Sequence, residues 1–464
     1  MECETPREAF EVLRERKRAC YDGYQALYGG NVRELIRTAP PGSFWARPGK
    51  SRIHVPLAAD LAATSANLLF GEELRLQLAG EAGQEGEGQK RLADLMLQSG
   101  LSALLCEAAE YAAALGDVCL KLNWDRKCAP LLTVVHAGDA LPEYRMGRLH
   151  CLHFFTPMKD DGRHVWRVWE RYSPGEIEMG LFRGTRESLG EDQGESGLRS
   201  LGFGRHVRVP VEDMLAIHVP NMRPNRQHPD SGMGRSDLEG LRGLMDALDE
   251  AYSSWMRDIR LAKSRLIVPA EYLRRRPRDL FRDGQYTYEF DEDVETLVAL
   301  DIDTSHAGTD MITPSQFRIR TGEHLQTCEH LIRSIVTMAG YSPQTFGMDV
   351  NGRAESGTAL QMRERKSYAT RGKKENYWKG PLETILTSMI RLDAKLHPGV
   401  FHDRDAVSVI FPDATANDLT TLASAVKLLR EAGIMSREEG VGMVHPDWTG
   451  EMVKAEVERL EHDG

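Results

Sequence analysis

Residues 47–51, RPGKS, carry the end of a phosphate-binding loop, in which backbone N–H groups and a lysine cradle nucleotide phosphates. The full pattern G-x-x-x-x-G-K-[ST] needs glycine at position 44, where the chain has Phe44. Gly42 leaves the loop too long, and RIHVP follows where a helix N-terminus would have to hold the phosphate. No nucleotide site is expected there. His324 and Cys328 share one face of a helix at i and i+4, with His330 close by, but no carboxylate or further histidine sits at motif spacing. Asp301 and Asp303 fall on one face of a strand, without the glycine of a calcium loop. G-x-S-x-G, H-E-x-x-H and the kinase signature set are all missing. The sequence therefore predicts neither an enzyme nor a cofactor or metal site.

Two basic clusters are left. Residues 363–379 carry Arg363, Arg365, Lys366, Arg371, Lys373, Lys374 and Lys379 interleaved with Tyr368, Tyr377 and Trp378, a pattern that can bind nucleic acid or form a solvated or partner-facing helix surface. The RRRPR run puts Arg274, Arg275, Arg276 and Arg278 together, with the same readings and a third as a docking surface. The formal net charge of −11 opposes a chain that grips nucleic acid over its whole surface, because such affinity rests on neutralising phosphates. It is compatible with a surface past which DNA slides.

The elements that would position these residues can be read from periodicity. With 464 residues, 41% of them hydrophobic, the chain has material for roughly two to four domains. No window approaches a membrane span, and the charged N-terminus is unlike a signal peptide, so a soluble protein made in the cytoplasm is expected. The seven scattered cysteines form no C-x-x-C pair, which predicts reduced thiols. Residues 1–116 read as mainly helical, and 117–219 as an antiparallel meander with an exposed loop at 184–197. Ser236 and Glu239 suggest a capping box opening a helix of roughly 28 residues. A small insert at 270–312 holds an Asp283–Gly284 hairpin turn. Thr313, Pro314 and Gln316 suggest the start of a second long helix running to Gly340. The polar, glycine-rich stretch 341–357 separates it from a third long helix, which Gly372 and Gly380–Pro381 should bend or break. The C-terminal segment opens with a strand-like VSVIF and continues as helices, one with a capping box at Ser436 and Glu439.

Long helix, small insert, long helix, polar loop and long helix, after an α/β half, resembles the portal proteins of tailed double-stranded DNA bacteriophages, in particular the siphophage type. The stretches that carry the resemblance are RIHVPLAADLAATSANLLFGE (52–72), GDVCLKLNWD (116–125), residues 232–269 from GMGRSDLEG to KSRLIVP, GYSPQTFGMD (340–349) and HPDWTGEMVKAEVERL (445–460). It implies an α+β portal fold: wing at 1–236, stem helices at 237–265 and 313–340, clip at 266–312, tunnel loop at 341–357, a long kinked helix at 358–404 and a helical crown at 405–464. It further implies a ring of twelve subunits around a DNA channel at one capsid vertex, in the virion and, during assembly, in the host cytoplasm. Its partners would be the terminase large subunit, a head-completion or adaptor protein, and the major capsid and scaffolding proteins, with no membrane. Ser342, Pro343, Gly347, Asp349, Asn351, Arg353 and Glu355 would belong to the tunnel loop. Arg274, Arg275, Arg276 and Arg278 would dock partners at the clip, and Tyr252, Trp255, Ile259, Leu331 and Ile335 would line subunit contacts. Arg363, Lys366, Arg371, Lys373 and Lys374 would be candidates to face DNA. A monomeric nucleic-acid-binding protein using helix 358–379, or a nucleotide-dependent enzyme, is the alternative.

Overall fold

The computed structural model describes residues 3–48, 52–79, 86–125, 128–229, 231–262, 265–267, 274–277, 286–289, 313–315, 319–348, 357–402, 404–412, 419–445, 448 and 450–462. The chain divides into a larger unit, 1–48 with 54–246 and 331–464, and a smaller one, 49–53 with 247–330. Among the described residues no single helix is long and apolar enough to cross a membrane.

In the larger unit the helical and stranded readings hold. Helices Pro6–Arg16, Asp22–Gly29, Val32–Arg37, Leu57–Phe70, Glu87–Ser99 and Leu101–Leu115 precede the sheets. Alanines drive the tightest helix pairing: Ala58, Ala62 and Ala66 on one helix and Ala108, Ala109 and Ala112 on the other are almost fully buried, so the two backbones approach closely. Asp117–Asp125 is the centre of a three-stranded sheet, flanked by Cys128–His136 and Ala216–Pro220. A second, antiparallel sheet runs through Ala140–Arg145, Arg148–Asp160, Val165–Ser173, Glu176–Gly184 and Glu191–Asp192, with His206–Arg208 also on the fourth of these. Period-two alternation explains its two faces. Val168, Tyr172 and Leu181 enter the main core, whereas Phe155, Trp169 and Phe182 pack on the N-terminal helix through Phe10 and Leu13.

The 40-residue helix Gly357–Leu396 is the centre of that core. Trp378, Leu382, Ile385, Leu386, Met389 and Ile390 recur at helical spacing and are all fully buried. The helix runs unbroken through Gly372, Gly380 and Pro381, so of the expected bend or break the break does not occur. A proline inside a helix costs about 3 kcal/mol, and burying several large side chains on the adjoining turns outweighs that.

Other boundaries differ from the sequence reading. Ser236 does not cap a helix at 237: its hydroxyl bonds the carbonyls of Ala113 and Ala114, and the helix begins after a turn, as Arg242–Leu261. Thr313–Ser315 is a strand paired antiparallel with Arg265–Ile267, and the next helix is Thr321–Ala339. The predicted cap at Thr313 fails because this backbone is engaged in a ladder. Residues 184–197 are exposed over much of their length, as expected, but are not all loop: Glu191–Asp192 pairs back onto the sheet and a short helix starts at Gly194. Strand Ala406–Ile410 pairs with Arg75–Ala79, which ties it to the N-terminal half. The capping box at Ser436 and Glu439 is present.

A buried carboxylate sits on the Ala140–Arg145 strand. Glu143 Oε1 accepts from the Cys3 amide at 3.0 Å and lies 3.2 Å from His153 Nε2, and Oε2 accepts from Cys151 Sγ at 3.3 Å. Trp169 Nε1 donates to His153 Nδ1 at 3.1 Å, which assigns the imidazole proton to Nε2, aimed at Glu143. That nitrogen offers no lone pair, so the Glu143–Cys151–His153 group reads as a hydrogen-bonded core cluster and not as a metal centre. Burial alone would raise the Glu143 carboxyl, but the bonds from His153, Cys3 and Cys151 outweigh it and hold the group at about 2, down from 4.5. A depressed carboxyl stabilises the fold above its unfolded value, and the benefit fades as pH falls from 4.5 toward 2. Glu143→Gln is expected to lower stability by about 3 kcal/mol at neutral pH and to flatten this acid limb. Urea midpoints measured across that pH range check it; parallel profiles for variant and parent would contradict it.

Candidate functional site

The helices and the polar loop singled out above meet at a buried lysine. Lys374 and Asp237 side chains are each 1% exposed, with Nζ 2.6 Å from Oδ2. Lys374 also donates to Ser65 Oγ at 2.6 Å and to Tyr341 Oη at 3.1 Å, so all three of its N–H groups are used. Tyr341 Oη–H donates to Asp237 Oδ2 at 2.7 Å, and Asn221 Nδ2 to Oδ1 at 2.8 Å. Burial pulls the ammonium's pKa down against the attraction of Asp237, and burial beside the same carboxylate pushes the Tyr341 phenol well up. Four segments are joined in this way. They are helix Leu57–Phe70, the approach to helix Arg242–Leu261, the second residue after helix Thr321–Ala339, and helix Gly357–Leu396.

A second polar chain continues the junction. Asp117 Oδ1 accepts from the Gly234 amide at 2.6 Å and lies 2.8 Å from His218 Nε2, whose Nδ1 is 2.6 Å from Tyr144 Oη. Any side chain at Gly234 would strike the Gly116 carbonyl, so the close passage of these two segments requires glycine. Asn221 Oδ1 is the buried atom of this cluster left without a partner. The bonds among the rest position backbone.

The start of the polar loop is folded. Gly340 takes φ +105°, a left-handed conformation suited to glycine, and Thr370 Oγ1 donates to its carbonyl at 2.5 Å. Tyr341 and Ser342 are buried, and Ser342 N donates to Ser367 Oγ at 2.9 Å. Pro343–Phe346 forms one 3-10 turn ending at Gly347, with φ +70°. The predicted loop from 341 therefore opens on ordered structure: Ser342 is buried, Pro343 starts the 3-10 turn and the exposed Gly347 ends it. Asp349, Asn351, Arg353 and Glu355 lie outside the described residues.

The basic helix also divides. Lys374 is spent on Asp237, and Arg371 is buried, donating to the Pro412 carbonyl at 2.6 Å and pairing with Glu375 at 2.8 Å. Neither can face DNA, because exposing them would strand Asp237 and break the core. Trp378 is likewise a core residue against Phe70. Arg363, Lys366 and Lys373 are on the surface, where Lys366 bonds the Thr337 carbonyl.

In the smaller unit Trp255 is half-buried and stacks on His324, with ring centroids 6.1 Å apart and planes 7° from parallel. Asp258 Oδ2 lies 3.0 Å from His324 Nε2 and accepts from Arg320 at 3.1 Å. Hydrogen bonds from His324 and Arg320 lower the Asp258 carboxyl. His324 is thus engaged by a carboxylate on the facing helix, and Cys328 is buried, which leaves no open metal pair. Tyr252 is half-buried beside Trp255, and Ile259 is exposed. In the larger unit Leu331 is half-buried, whereas Ile335 is fully buried within the chain and is a core residue instead of a subunit contact. Arg274, Arg275 and Arg276 lie on strand Arg274–Pro277, paired with Tyr286–Glu289; Arg278 and the Asp283–Gly284 turn are outside the described residues. Gly49, Lys50, Ser51, Asp301 and Asp303 are outside them too.

Sequence reasoning missed Ser65, Asp237 and Tyr341. The usable signal was that Lys374 stands four residues before Trp378, on the helix's apolar stripe.

The family profile described as "Phage portal protein, SPP1 Gp6-like" matches residues 48–464. Solved structures with a similar chain include the virion of a native gene transfer agent particle, at 12% identity over 95% of this chain and 99% of that one, with a TM-score of 0.45. The neck of the empty particle matches at 12% identity over 90% and 94%, with a TM-score of 0.41. The neck of the native particle matches at 11% identity over 91% and 92%, with a TM-score of 0.40. No curated protein matches.

Lys374→Ala is expected to destabilise the fold by about 3–5 kcal/mol, since it leaves Asp237 buried without a counter-charge. Lys374→Met combined with Asp237→Leu should recover part of that loss, because it removes both charges but leaves Tyr341 Oη and Asn221 Nδ2 without their acceptor. Denaturant melts of the two variants check this. An alanine variant as stable as the parent would mean that the pair carries no structural weight.

Proposed function

Since the chain belongs to the phage portal protein family, SPP1 Gp6-like, we propose that twelve copies form a ring around a channel at one capsid vertex. Double-stranded DNA would enter and leave the head through that channel. The observation that carries this reading is the family match across 417 residues, from 48 to 464, which takes in every element named above from helix Leu57–Phe70 onward. The chain's own chemistry supports it. A net charge of −11 suits a passage through which DNA slides without being held.

In this reading the protein does no catalysis, and ATP hydrolysis belongs to a separate packaging motor, the terminase. The segment 266–312, with Arg274, Arg275, Arg276 and Arg278, would meet that motor and later the head-completion protein. The half-buried Trp255 and Tyr252 and the exposed Ile259 would be covered by neighbouring copies. Asp349, Asn351, Arg353 and Glu355 would touch passing DNA. Their near balance of charge suits brief contact with phosphates, whereas a lysine cluster would act as a brake.

Light scattering on the purified protein at micromolar concentration and physiological salt should give a mass about twelve times that of the chain. A strictly monomeric particle, found also in assembled heads, would overturn the proposal. Replacing 349–355 by a Gly-Ser linker should leave the ring intact and impair DNA packaging or retention. Heads that fill and hold DNA like the parent would reduce this segment to a connector. Changing Arg274, Arg275 and Arg276 together to alanine should preserve the ring and weaken motor binding in a salt-dependent manner. Unchanged affinity over a salt series would remove these arginines from the docking surface.

A further inference from the structure

The larger sheet ends in a surface feature that the channel reading does not use. Lys159, Trp166 and Arg183 stand directly across from one another on three neighbouring strands. Lys159 Nζ lies 5.3 Å from the Trp166 ring centroid and Arg183 Cζ lies 5.1 Å from it, both within cation–π range. The cations come from the two strands that flank the tryptophan's own. His164 meets its edge at 6.1 Å and lies 3.4 Å from Arg183 Nη2. The nearby carboxylates are already engaged. Asp160 accepts from Arg186 at 3.1 Å, and Asp161 accepts the Arg163 and His164 amides at 3.0 and 2.6 Å. With Arg186 held by Asp160, the exposed Lys159, Arg163 and Arg183 still outnumber the one remaining acid, Asp161, on a chain that is acidic overall.

We propose that this ladder is a docking surface for an acidic segment of a partner protein. The indole holds the guanidinium and the ammonium in place, so less side-chain freedom is lost when carboxylates bind them. Nucleic acid fits worse. A single strand gains affinity by stacking bases on aromatic faces, and here two cations already lie against the ring. A duplex needs many neutralised phosphates, and with Arg186 held by Asp160 the patch offers three further cations. Strand addition fits worse as well, because Pro157 has no amide to give and the register slips between Pro157 and Lys159.

Fluorescein-labelled hexaglutamate and a labelled DNA duplex, titrated against the full chain, test this. The peptide should bind more tightly than the duplex. Lys159→Glu with Arg183→Glu should weaken peptide binding at least about tenfold. The same charge change at Arg33→Glu with Lys90→Glu, on exposed helix positions elsewhere, should weaken it about twofold or less. Trp166→Ala should weaken it about threefold by freeing the two cations. If the doubly acidic variant fails to fold, Lys159→Gln with Arg183→Gln replaces it, with at least about a threefold loss expected. The proposal is overturned by no measurable peptide binding, by equal losses in the ladder and control variants, or by a duplex that binds more tightly than the peptide.

Discussion

A lysine ammonium sealed from water must find a counter-charge and a partner for each of its protons, or give up its charge. At Lys374 all three N–H groups are met by groups from distant parts of the sequence, Ser65, Asp237 and Tyr341. This requirement fixes the register of four segments at once. Apolar packing alone would tolerate a helix sliding by a fraction of a turn, since hydrophobic contact is not directional. A displaced Lys374 would leave an unpaired charge in the core, so the arrangement has one low-energy solution.

The other polar clusters share this logic at different depths. Asp117 ties the first strand of the three-stranded sheet to the backbone at Gly234, and through His218 to Tyr144 on the neighbouring sheet. Glu143 ties the N-terminal Cys3 amide to the larger sheet. In each case a carboxylate gathers donors from separate elements and trades hydration for geometry. The result is a unit held by directional bonds at its corners and by apolar contact between them.

The legibility of the sequence follows from which signals are local. The strands at 117–125, 131–136, 149–155, 164–172 and 177–182 were readable because alternation is written into each run. The strand Ala140–Arg145 was missed because LPEYR alternates weakly and its glutamate is buried by partners far along the chain. Lys374 was misread because residue type was given more weight than position: lysine suggests solvent, but the spacing to Trp378 places it inward. Thr313 was misread because a proline after a threonine serves a helix start and a strand edge equally well, and only pairing with 265–267 decides. The start of the 341–357 stretch is ordered although its glycines and proline mark turns, because a turn can be hydrogen-bonded to a neighbouring helix as well as solvated.

A stretch that touches moving DNA transmits force to whatever holds its ends. The chain before 349 is pinned to the helix after it by Ser342 N to Ser367 Oγ, Thr345 to Ser367 and Thr370 to the Gly340 carbonyl. Tyr341, immediately upstream, is bonded to Asp237 and Lys374. A pull on 349–356 would therefore reach the buried ion pair within about two turns of helix Gly357–Leu396, from Ser367 to Lys374. The same ion pair anchors the approach to helix Arg242–Leu261, so the residues proposed to feel DNA and those proposed to build the ring share one support. In this reading the lysine stays buried because it gives the loop a rigid seat, which a solvated lysine on the same helix could not supply.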